Sequence, residues 1–456
     1  MSLKTDIYKT VLHRLSENRN KLNGDPRINE ATVENLSTKV INSCLNKTYD
    51  FSKLSTYCLT QKKYLKNSKK KRIIKRYEDF DEDILSTCVK KILDKTFQLR
   101  FPNRNKICKT LFAALPAILQ MSDFTIVKFD FKNFFNSVNS LYVFEKFIRK
   151  QILQRDELDL VEQYVNSTKF AFAGLRPSNS IAEIIARAFD EILTTSLSKY
   201  GLIYYERYID DAFLILNSYL SKSEVENLLT LAINHTFYDT NFLGKLGIKN
   251  YVHLNKNKFE YISSRDNKTS TINFLGYSFK FSVSADNAKI IYGISEEKRL
   301  KYLDRLKKII SLCCIDKTND DYGDYGLLEH RIRCFTTRQV YVTRHLKFYT
   351  WKSKGLISNY GELRYLIDSK LLDPDTKSFL KNVLYKGFKE LGVNPPHFLK
   401  QYNLFENMKK NRTLLFVRRV GYNHASLAKL CKQVGIHSKG YEGLVRDYLI
   451  KMKVGY

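Results

Sequence analysis

The stretch Leu202–Leu216, LIYYERYIDDAFLIL, decides the fold of this chain. Its aromatic, aliphatic and β-branched residues favour two strands, and the polar pair inside it marks the turn between them. Asp tolerates turn geometry, so a single acid at this place would be ordinary. Asp210 and Asp211 are adjacent carboxylates that repel each other, and a hairpin requires neither. Mg²⁺ prefers carboxylate oxygens, so the turn predicts a divalent-metal site, with a solvated turn as the alternative.

A second predicted strand carries a further acid earlier in the chain. The segment Thr125–Phe131, TIVKFDF, alternates in polarity and ends in Asp130-Phe131. If the two strands pair, the carboxylates of Asp130 and Asp210 converge at one edge of a sheet. Two metal ions held roughly 3.5–4 Å apart by such carboxylates can clamp an in-line phosphoryl displacement.

Composition favours a polyanionic partner. The 456 residues include 77 Lys and Arg against 47 Asp and Glu, a formal charge of +30. Nucleic acid fits that excess, although positive charge also serves solubility. Eight cysteines show no CxxC spacing, which is typical of a reducing cytoplasm. No signal peptide and no span of ~20 apolar residues is evident, so we expect a cytoplasmic protein with no membrane partner.

Two basic segments precede the Asp130 strand. Nine Lys and Arg fall between Lys62 and Arg76, and the segment LRFPNRNKICK, residues 99–109, carries Arg100 and Arg104. Arginine binds phosphate oxygens in a bidentate manner, so these residues could contact a triphosphate. Solvated surface charge is the alternative for both segments.

Patterning predicts three domains. Helical spacing of Ile7, Val11 and Leu15 favours an N-terminal helical segment over residues 1–64. Residues 65–290 contain the strands described above and a loop, GLRPSNS, before a helix for which Ser180 and Glu183 predict a capping box. Helical periodicity then recurs over residues 291–456, which predicts an α-helical C-terminal domain.

Taken in order, these motifs resemble those of the reverse transcriptase family. The matching residues are Asp130 in FDFKNFF, Gly174 with Pro177, Ser178 and Ser180, the YxDD box Tyr208–Asp211, Leu254-Asn255 with Lys258, and the FLGY sequence Phe274–Tyr277. The resemblance covers roughly residues 65–285. It implies an α+β fold with reverse-transcriptase-like fingers and a palm on an antiparallel sheet, followed here by the all-α C-terminal domain.

Within that family the chain is most similar to the bacterial abortive infection (Abi) phage-defence polymerases. Typical templated enzymes carry GxPQG in the second motif, whereas GLRPSNSIAEII lacks that Gln and the second Gly. The Abi resemblance implies DNA synthesis without a template, primed on a tyrosine of the same chain, by a homo-oligomer. Deoxynucleoside triphosphates would be the substrates, and single-stranded DNA, covalently attached in the protein-primed case, would be the product.

The resemblance also assigns roles to residues. Asp130 and Asp210 would bind two Mg²⁺ ions, with Mn²⁺ as an alternative, and the Phe131 carbonyl and Asp211 would assist. Phe135 would stand at the sugar gate that excludes a ribose 2′-hydroxyl, or else belong to the core. The remaining nucleotide-binding candidates are Arg100, Arg104, Pro177, Ser178 and Lys258. Lys258 would protonate the leaving pyrophosphate, with a surface lysine beside Lys256 as the alternative.

The choice of priming residue and of template is open at this stage. Among 30 tyrosines, Tyr8 is the priming candidate because of its place near the terminus, with Tyr49 beside it; an interfacial aromatic is the alternative for either. A templated reverse transcriptase that copies a partner RNA is the second hypothesis. A nucleic-acid-binding scaffold without activity is the third, and three converging carboxylates argue against it.

Overall fold

A computed structural model describes residues 3–17, 26–65, 68–239, 242, 251–284, 287–314, 325–345 and 348–454. The helices are α1 Leu3–Glu17, α2 Pro26–Leu45, α3 Phe80–Thr96, α4 Arg104–Ala114, α5 Phe134–Ser137, α6 Ser140–Val143, α7 Arg155–Thr168, α8 Ser178–Ser198, α9 Lys222–Phe237, α10 Glu296–Cys314, α11 Tyr325–Thr336, α12 Leu356–Asn359, α13 Pro374–Glu390, α14 Leu404–Lys409, α15 His424–Lys432 and α16 Tyr441–Lys451. The strands are β1 Ser55–Lys63, β2 Ser68–Arg76, β3 Thr125–Lys132, β4 Leu202–Tyr208, β5 Asp211–Leu216, β6 His253–Leu254, β7 Glu260–Ser263, β8 Thr269–Phe274, β9 Tyr277–Ser284, β10 Asn287–Ile294, β11 Arg338–His345, β12 Phe348–Lys354 and β13 Thr413–Phe416.

The chain divides into two compact units. Unit 1 comprises Met1–Lys62, Lys69–Ile107 and Met121–Arg265. Unit 2 comprises Lys63–Ser68, Cys108–Gln120 and Asp266–Tyr456. The domain boundaries expected after residues 64 and 290 stay a prediction. The N-terminal segment contains helices α1 and α2, and its expected helical character gives way to strand β1 at Ser55.

The central sheet of unit 1 is antiparallel, with the strand order β4-β5-β3-β6, and β7 also pairs with β3. Strand β3 alternates strictly, as TIVKFDFK predicts. Val127, Phe129 and Phe131 belong to the main apolar core. Lys128 and Asp130 therefore project from the opposite face of the sheet, where polar side chains gather.

Aromatic rings fix helices α8 and α9 against this sheet. Phe131 of β3 lies with its ring centroid 5.2 Å from Phe189 of α8 and 5.8 Å from Phe237 of α9. Phe189 and Phe237 are 5.9 Å apart, and all three rings are buried. Each such buried side chain contributes about 1.5–3 kcal/mol, so the sheet face behind Asp130 is firmly anchored.

The loop before α8 is joined to strand β2 at Gly174. The Lys75 N–H donates to the Ala173 carbonyl at 2.8 Å. Gly174 has a φ of +106°, and a Cβ there would lie 2.5 Å from the Lys75 carbonyl oxygen. Only glycine allows both the backbone conformation and this close approach. The backbone of the loop therefore packs directly against strand β2 of the β1–β2 hairpin.

Unit 2 contains two further sheets. One is antiparallel with the order β10-β9-β8, and the other has the order β12-β11-β13 with β13 parallel to β11. Tyr341 of β11, Phe416 of β13 and Tyr448 of α16 belong to one buried cluster beneath the second sheet. Helices α15 and α16 supply half of the other buried apolar side chains of that cluster, namely Leu427, Leu430, Cys431, Leu444 and Val445.

The prediction of an all-α C-terminal domain is wrong. Strands β11, β12 and β13 lie within residues 291–456. RQVYVTRH and FYTWKSK alternate with period two and are rich in β-branched and aromatic residues. The β11–β12 hairpin and the four-residue strand β13 are nevertheless flanked by helices, so the helical periodicity of the flanks dominated the pattern.

The predicted capping box at the start of α8 is also wrong. Helix α8 begins at Ser178, one turn earlier than that motif requires. The Ser180 hydroxyl donates to Asp94 Oδ1 at 2.6 Å, and Glu183 pairs with Arg207 of β4. Both side chains bind residues that are distant in sequence, and the local sequence could not predict these partners.

Among the helices that the structure describes, none combines the length and the apolarity that crossing a bilayer requires.

Candidate active site

The structure brings the three predicted aspartates together at one end of the central sheet of unit 1. Asp130 on β3 lies directly opposite Asp211 on β5 in the antiparallel register. Asp210 occupies the turn before β5, and its carbonyl accepts a hydrogen bond from the Phe131 N–H at 3.0 Å. Residues opposite each other on neighbouring strands have adjacent side chains, so the register itself sets the carboxylates side by side.

The turn that carries Asp210 is held in an unusual backbone conformation. Tyr208 pairs with Asp211, which leaves a two-residue turn in which Ile209 has a φ of 64°. A β-branched residue rarely adopts this left-handed conformation, and such strain costs on the order of 1–3 kcal/mol. It persists only where the surroundings impose it.

Arg207 imposes that conformation from within β4. Its side chain is 3% exposed, and its Nη1 donates to the Ile209 carbonyl at 2.9 Å. The same guanidinium contacts Asp190 Oδ2 at 2.8 Å and Glu183 Oε2 at 3.2 Å, both on α8. Tyr205 adds a 2.6 Å hydrogen bond to Asp190. Arg207 thus ties the turn to helix α8 through a buried cation with two carboxylate partners.

Asp130 has a partner on each carboxylate oxygen. Asn255 Nδ2 donates to Oδ1 at 2.8 Å, and Lys258 Nζ lies 2.5 Å from Oδ2. The Asn255 N–H also donates to the Asp130 carbonyl at 2.8 Å. Both residues belong to the segment that the LNxxK resemblance singled out, and the Lys258 side chain remains 51% exposed.

Asp211 is balanced by a different lysine. Lys128, two residues before Asp130 on the same face of β3, lies 3.4 Å from Asp211 Oδ1 and 3.1 Å from Glu260. Asp211 Oδ1 is buried and makes no hydrogen bond. Burial raises the pKa of Asp211 to about 6, with Lys128 opposing the rise and Asp130 adding to it. Burial, followed by the charge of Asp130, also raises the pKa of Asp210.

A cationic cavity of about 370 Å³ lies within the same unit, at the start of α8. It is lined by Arg72 of β2, Lys90 of α3, Phe135, Arg176 and residues 173–175 and 178–179. The positive charge of Arg72 partly opposes the rise that burial causes in the pKa of Asp210. Phe135 also lines a neighbouring cavity of about 140 Å³ together with Tyr208 and Ile209. Phe135 therefore stands between the basic cavity and the aspartate turn.

The other predicted nucleotide-binding residues occupy varied places. Pro177 immediately precedes α8, and Ser178, which lines the basic cavity, donates from its hydroxyl to the Phe172 carbonyl at 2.7 Å. Arg100 is exposed in the segment before α4, and Arg104 is the first residue of α4. Their contact with a nucleotide stays a prediction.

The two priming candidates are packed side chains. Tyr8 on α1 is half-buried against the main core of unit 1. Tyr49 also packs against that core, with its ring 5.0 Å from Phe51, and burial raises its pKa. Neither position by itself assigns priming.

The donor set fits a hard divalent cation. Among the described residues, no three acidic, His or Cys side chains surround a common point, and in this structure Asn255 and Lys258 contact the two carboxylate oxygens of Asp130. The three side chains nevertheless offer only carboxylate oxygens, the ligands that Mg²⁺ prefers. Asp211 Oδ1 is a buried oxygen without a hydrogen bond, and the half-exposed Lys258 can leave Asp130 to make room.

Several residues of the site were not singled out from sequence. Lys128 could have been found, since it precedes Asp130 by two positions on an alternating strand and must share its face. Arg207 gave a weaker signal, a cation beside Tyr208 inside an apolar strand. Lys90 and Arg176 gave none, because only the tertiary fold brings them to Arg72.

Comparison with known proteins gives only distant likenesses. No protein-family model matches the chain, and no curated protein matches it. Similar solved structures include apo telomerase from Candida tropicalis truncated from its C-terminal domain, with 12% identity, a TM-score of 0.32, and coverage of 52% of this chain and 56% of that one. Telomerase from Candida albicans with a fragment of telomeric RNA gives 12% identity, a TM-score of 0.37, and coverage of 87% and 63%. The chain thus spans less than two thirds of each, and its function has to be inferred from its own site.

The Arg207 cluster generates a stability prediction. Arg207→Met should lower the free energy of unfolding by about 3–5 kcal/mol, because it leaves the buried Glu183 and the partly exposed Asp190 without their cation. Arg187→Met is the matched control, since Arg187 also faces Glu183, at 3.8 Å, but is 37% exposed; it should cost at most about 1 kcal/mol. Urea unfolding measures both variants, and equal losses would contradict a special role of Arg207.

The raised pKa of Asp211 generates a pH prediction. A carboxyl whose folded pKa lies above its unfolded value stabilises the protein at low pH, and that contribution is lost as pH rises from about 4 through about 6. Without divalent cations, Asp211→Asn should therefore be more stable than the parent chain at pH 8, by on the order of 1–3 kcal/mol. The difference should vanish near pH 4. Thermal unfolding at both pH values tests this, and a variant less stable at pH 8 would refute it.

Proposed function

We propose that this chain is a reverse-transcriptase-like DNA polymerase that transfers deoxynucleotides to a hydroxyl group. The observation that carries the proposal is the pairing of Asp130 with Asp211 in the strand register, with Asp210 in the turn before β5. The same unit contains a cavity lined by Arg72, Lys90 and Arg176. Nucleotidyl transfer requires two components, carboxylates that bind metal ions and basic side chains that bind the phosphates.

Asp130 and Asp210 would hold two Mg²⁺ ions, or Mn²⁺, with the Phe131 carbonyl and Asp211 assisting. Such ions, when bound, lower the pKa of the attacking hydroxyl and neutralise charge on the triphosphate. Burial, to which the charge of Asp130 adds, raises the pKa of both Asp210 and Asp211. This supports the assignment, because a bound cation would compensate carboxylates that are poorly solvated and close to another negative charge.

Lys258 would act in two positions. Without substrate its ammonium group neutralises Asp130 at 2.5 Å. If a cation were bound at Asp130, Lys258 would give up that oxygen, and its half-exposed side chain would reach the leaving pyrophosphate and donate a proton to it. A general acid must come within hydrogen-bond distance of the oxygen that it protonates, and a long, half-exposed lysine side chain is able to do so.

The basic cavity would receive the triphosphate. Arg72 is an arginine whose charge already reaches Asp210, so phosphates bound to it would lie near the carboxylates. Lys90 and Arg176, which pair with Asp94 and Asp83 in this structure, would add further positive charge opposite the negative charge that develops during transfer. Phe135, between this cavity and the turn, would be the sugar gate whose ring excludes a 2′-hydroxyl.

The more specific part of the proposal is a phage-defence enzyme of the abortive infection type. It would build DNA without a template, starting on a tyrosine of its own chain, in a homo-oligomer. The second motif supports this choice, since Ser178 and Asn179, which follow Pro177 at the start of α8, stand where templated relatives carry Gln and Gly. Tyr8 remains the proposed primer, and its half-buried ring would have to leave the core to react.

Removal of one carboxylate tests the chemistry. Asp210→Ala should reduce incorporation of labelled deoxynucleotides at least about a thousand-fold, since the cations would lose a principal ligand, while far-ultraviolet circular dichroism stays unchanged. The matched control is Asp123→Ala, an exposed acid just before the other end of β3, which should retain full activity. Full activity of Asp210→Ala would contradict the assignment.

A template-free assay tests the more specific proposal. Pure protein with each radiolabelled deoxynucleotide and Mg²⁺, without template or primer, should yield label that migrates with the polypeptide on a denaturing gel. Tyr8→Phe should lose that label, and mass spectrometry should locate the linked peptide. Label that forms only after RNA is added would instead support a reverse transcriptase that copies a partner RNA.

A further inference from the structure

The second sheet of unit 2 is built from two stretches of sequence without acidic residues. Residues 330–361 contain seven Lys and Arg and no Asp or Glu, and they include both strands of the β11–β12 hairpin. Residues 407–441 contain eight Lys and Arg and again no acid, and they include β13. The sheet β12-β11-β13 is therefore uniformly basic in sequence, which the aspartate site does not explain.

Strand β12 forms the edge of this sheet and carries two exposed rings. Tyr349 and Trp351 are 65% and 59% exposed. They are two positions apart on one strand and therefore share a face, with a spacing of about 6.6–6.8 Å along the strand. Trp351 stands opposite Val342 of β11 in the register, and it is the only tryptophan of the chain.

The lysines of β12 lie on the other face of the same strand. Lys352 and Lys354 alternate with the rings and are exposed, and Lys352 pairs with Tyr341 in the register. Lys354 Nζ lies 5.3 Å from the centre of the Tyr341 ring. The strand thus presents aromatic rings on one side and ammonium groups on the other, and Ser353 continues the aromatic face.

The exposed rings of Tyr349 and Trp351 offer apolar surface to a partner, while Lys352 and Lys354 disfavour pairing of this edge with another strand. A second copy of the same surface is disfavoured as its partner, because two acid-free basic sheets repel each other. A polyanion with flat apolar rings matches both faces. Bases can stack on tyrosine and tryptophan only where they are not already stacked within a duplex.

We propose that strand β12 binds single-stranded nucleic acid, with bases stacked on Tyr349 and Trp351 and phosphates contacting Lys352 and Lys354. The binding surface lies in unit 2 and involves none of the aspartates of unit 1. It requires no nucleotide turnover, so it holds or fails independently of the polymerase proposal.

The single tryptophan makes a direct measurement possible. The full chain is titrated with a twenty-nucleotide oligo-dT in buffer without divalent cations or nucleotides, and tryptophan emission is recorded. We expect Trp351 emission to be quenched to saturation, with an affinity that falls as salt rises. A duplex of the same length should quench at least ten-fold less effectively, because its bases are not available for stacking.

Variants separate stacking from charge. Tyr349→Ala, with the Trp351 reporter intact, should weaken binding about five-fold or more. The double variant Lys352→Ala/Lys354→Ala should lessen the salt dependence. Tyr365→Ala is the matched control, because Tyr365 is 75% exposed in the same unit on the turn Gly361–Leu366; it should bind as the parent chain does.

Three results would overturn the proposal. The first is emission that stays unchanged at saturating oligo-dT. The second is quenching that Tyr349→Ala leaves untouched. The third is emission that depends on protein concentration in the absence of oligonucleotide, which would identify the surface as a contact between copies of this chain. Loss of incorporation by Asp210→Ala with normal quenching would leave the two proposals separately supported.

Discussion

The candidate site depends on one buried cation. The Arg207 guanidinium joins two carboxylates of α8 and the carbonyl of Ile209, so it fixes the helix, the strand and the turn as one piece. Taking three charges out of water is costly, and such clusters stabilise a fold less than well-packed apolar residues would. Their value here is geometric. The strained turn that carries Asp210 has no reason to persist without the hydrogen bond that Arg207 donates to it.

Charge balance is the second constraint on the site. Three aspartates meet within two paired strands, and the protein offsets them with Lys258 at Asp130 and Lys128 at Asp211. The two lysines differ in freedom, since Lys128 is buried beneath the sheet face and Lys258 is half-exposed. The buried lysine is a permanent counter-charge, whereas the exposed lysine can yield its place. Under the proposed metal assignment, a cation would displace Lys258 from Asp130 more readily than it would displace Lys128 from Asp211.

Features of the site that depend on residues close together in sequence could be predicted, whereas those that depend on residues far apart in sequence could not. The convergence of Asp130 with Asp210 and Asp211 follows from two alternating strands, because a period of two fixes which side chains share a face. The turn follows from the same stretch. The Lys258–Asp130 pair spans 128 positions, and Arg207 reaches α8 across 17 and 24 positions, so local pattern could not specify either. Strands β11–β13 were missed because a short strand between helices has too few alternating positions to outweigh its flanks.

Gly174 couples parts of unit 1 that are far apart in sequence. No side chain fits between Gly174 and the Lys75 carbonyl. The backbone of strand β2, which carries Arg72, is therefore in direct contact with the backbone of the loop that precedes α8. An inserted residue near Lys75 would therefore move Arg72 relative to the start of α8. The tip of the hairpin is constrained as well, because the N–H groups of Tyr64 and Leu65 donate to Glu297 at 2.8 and 2.9 Å.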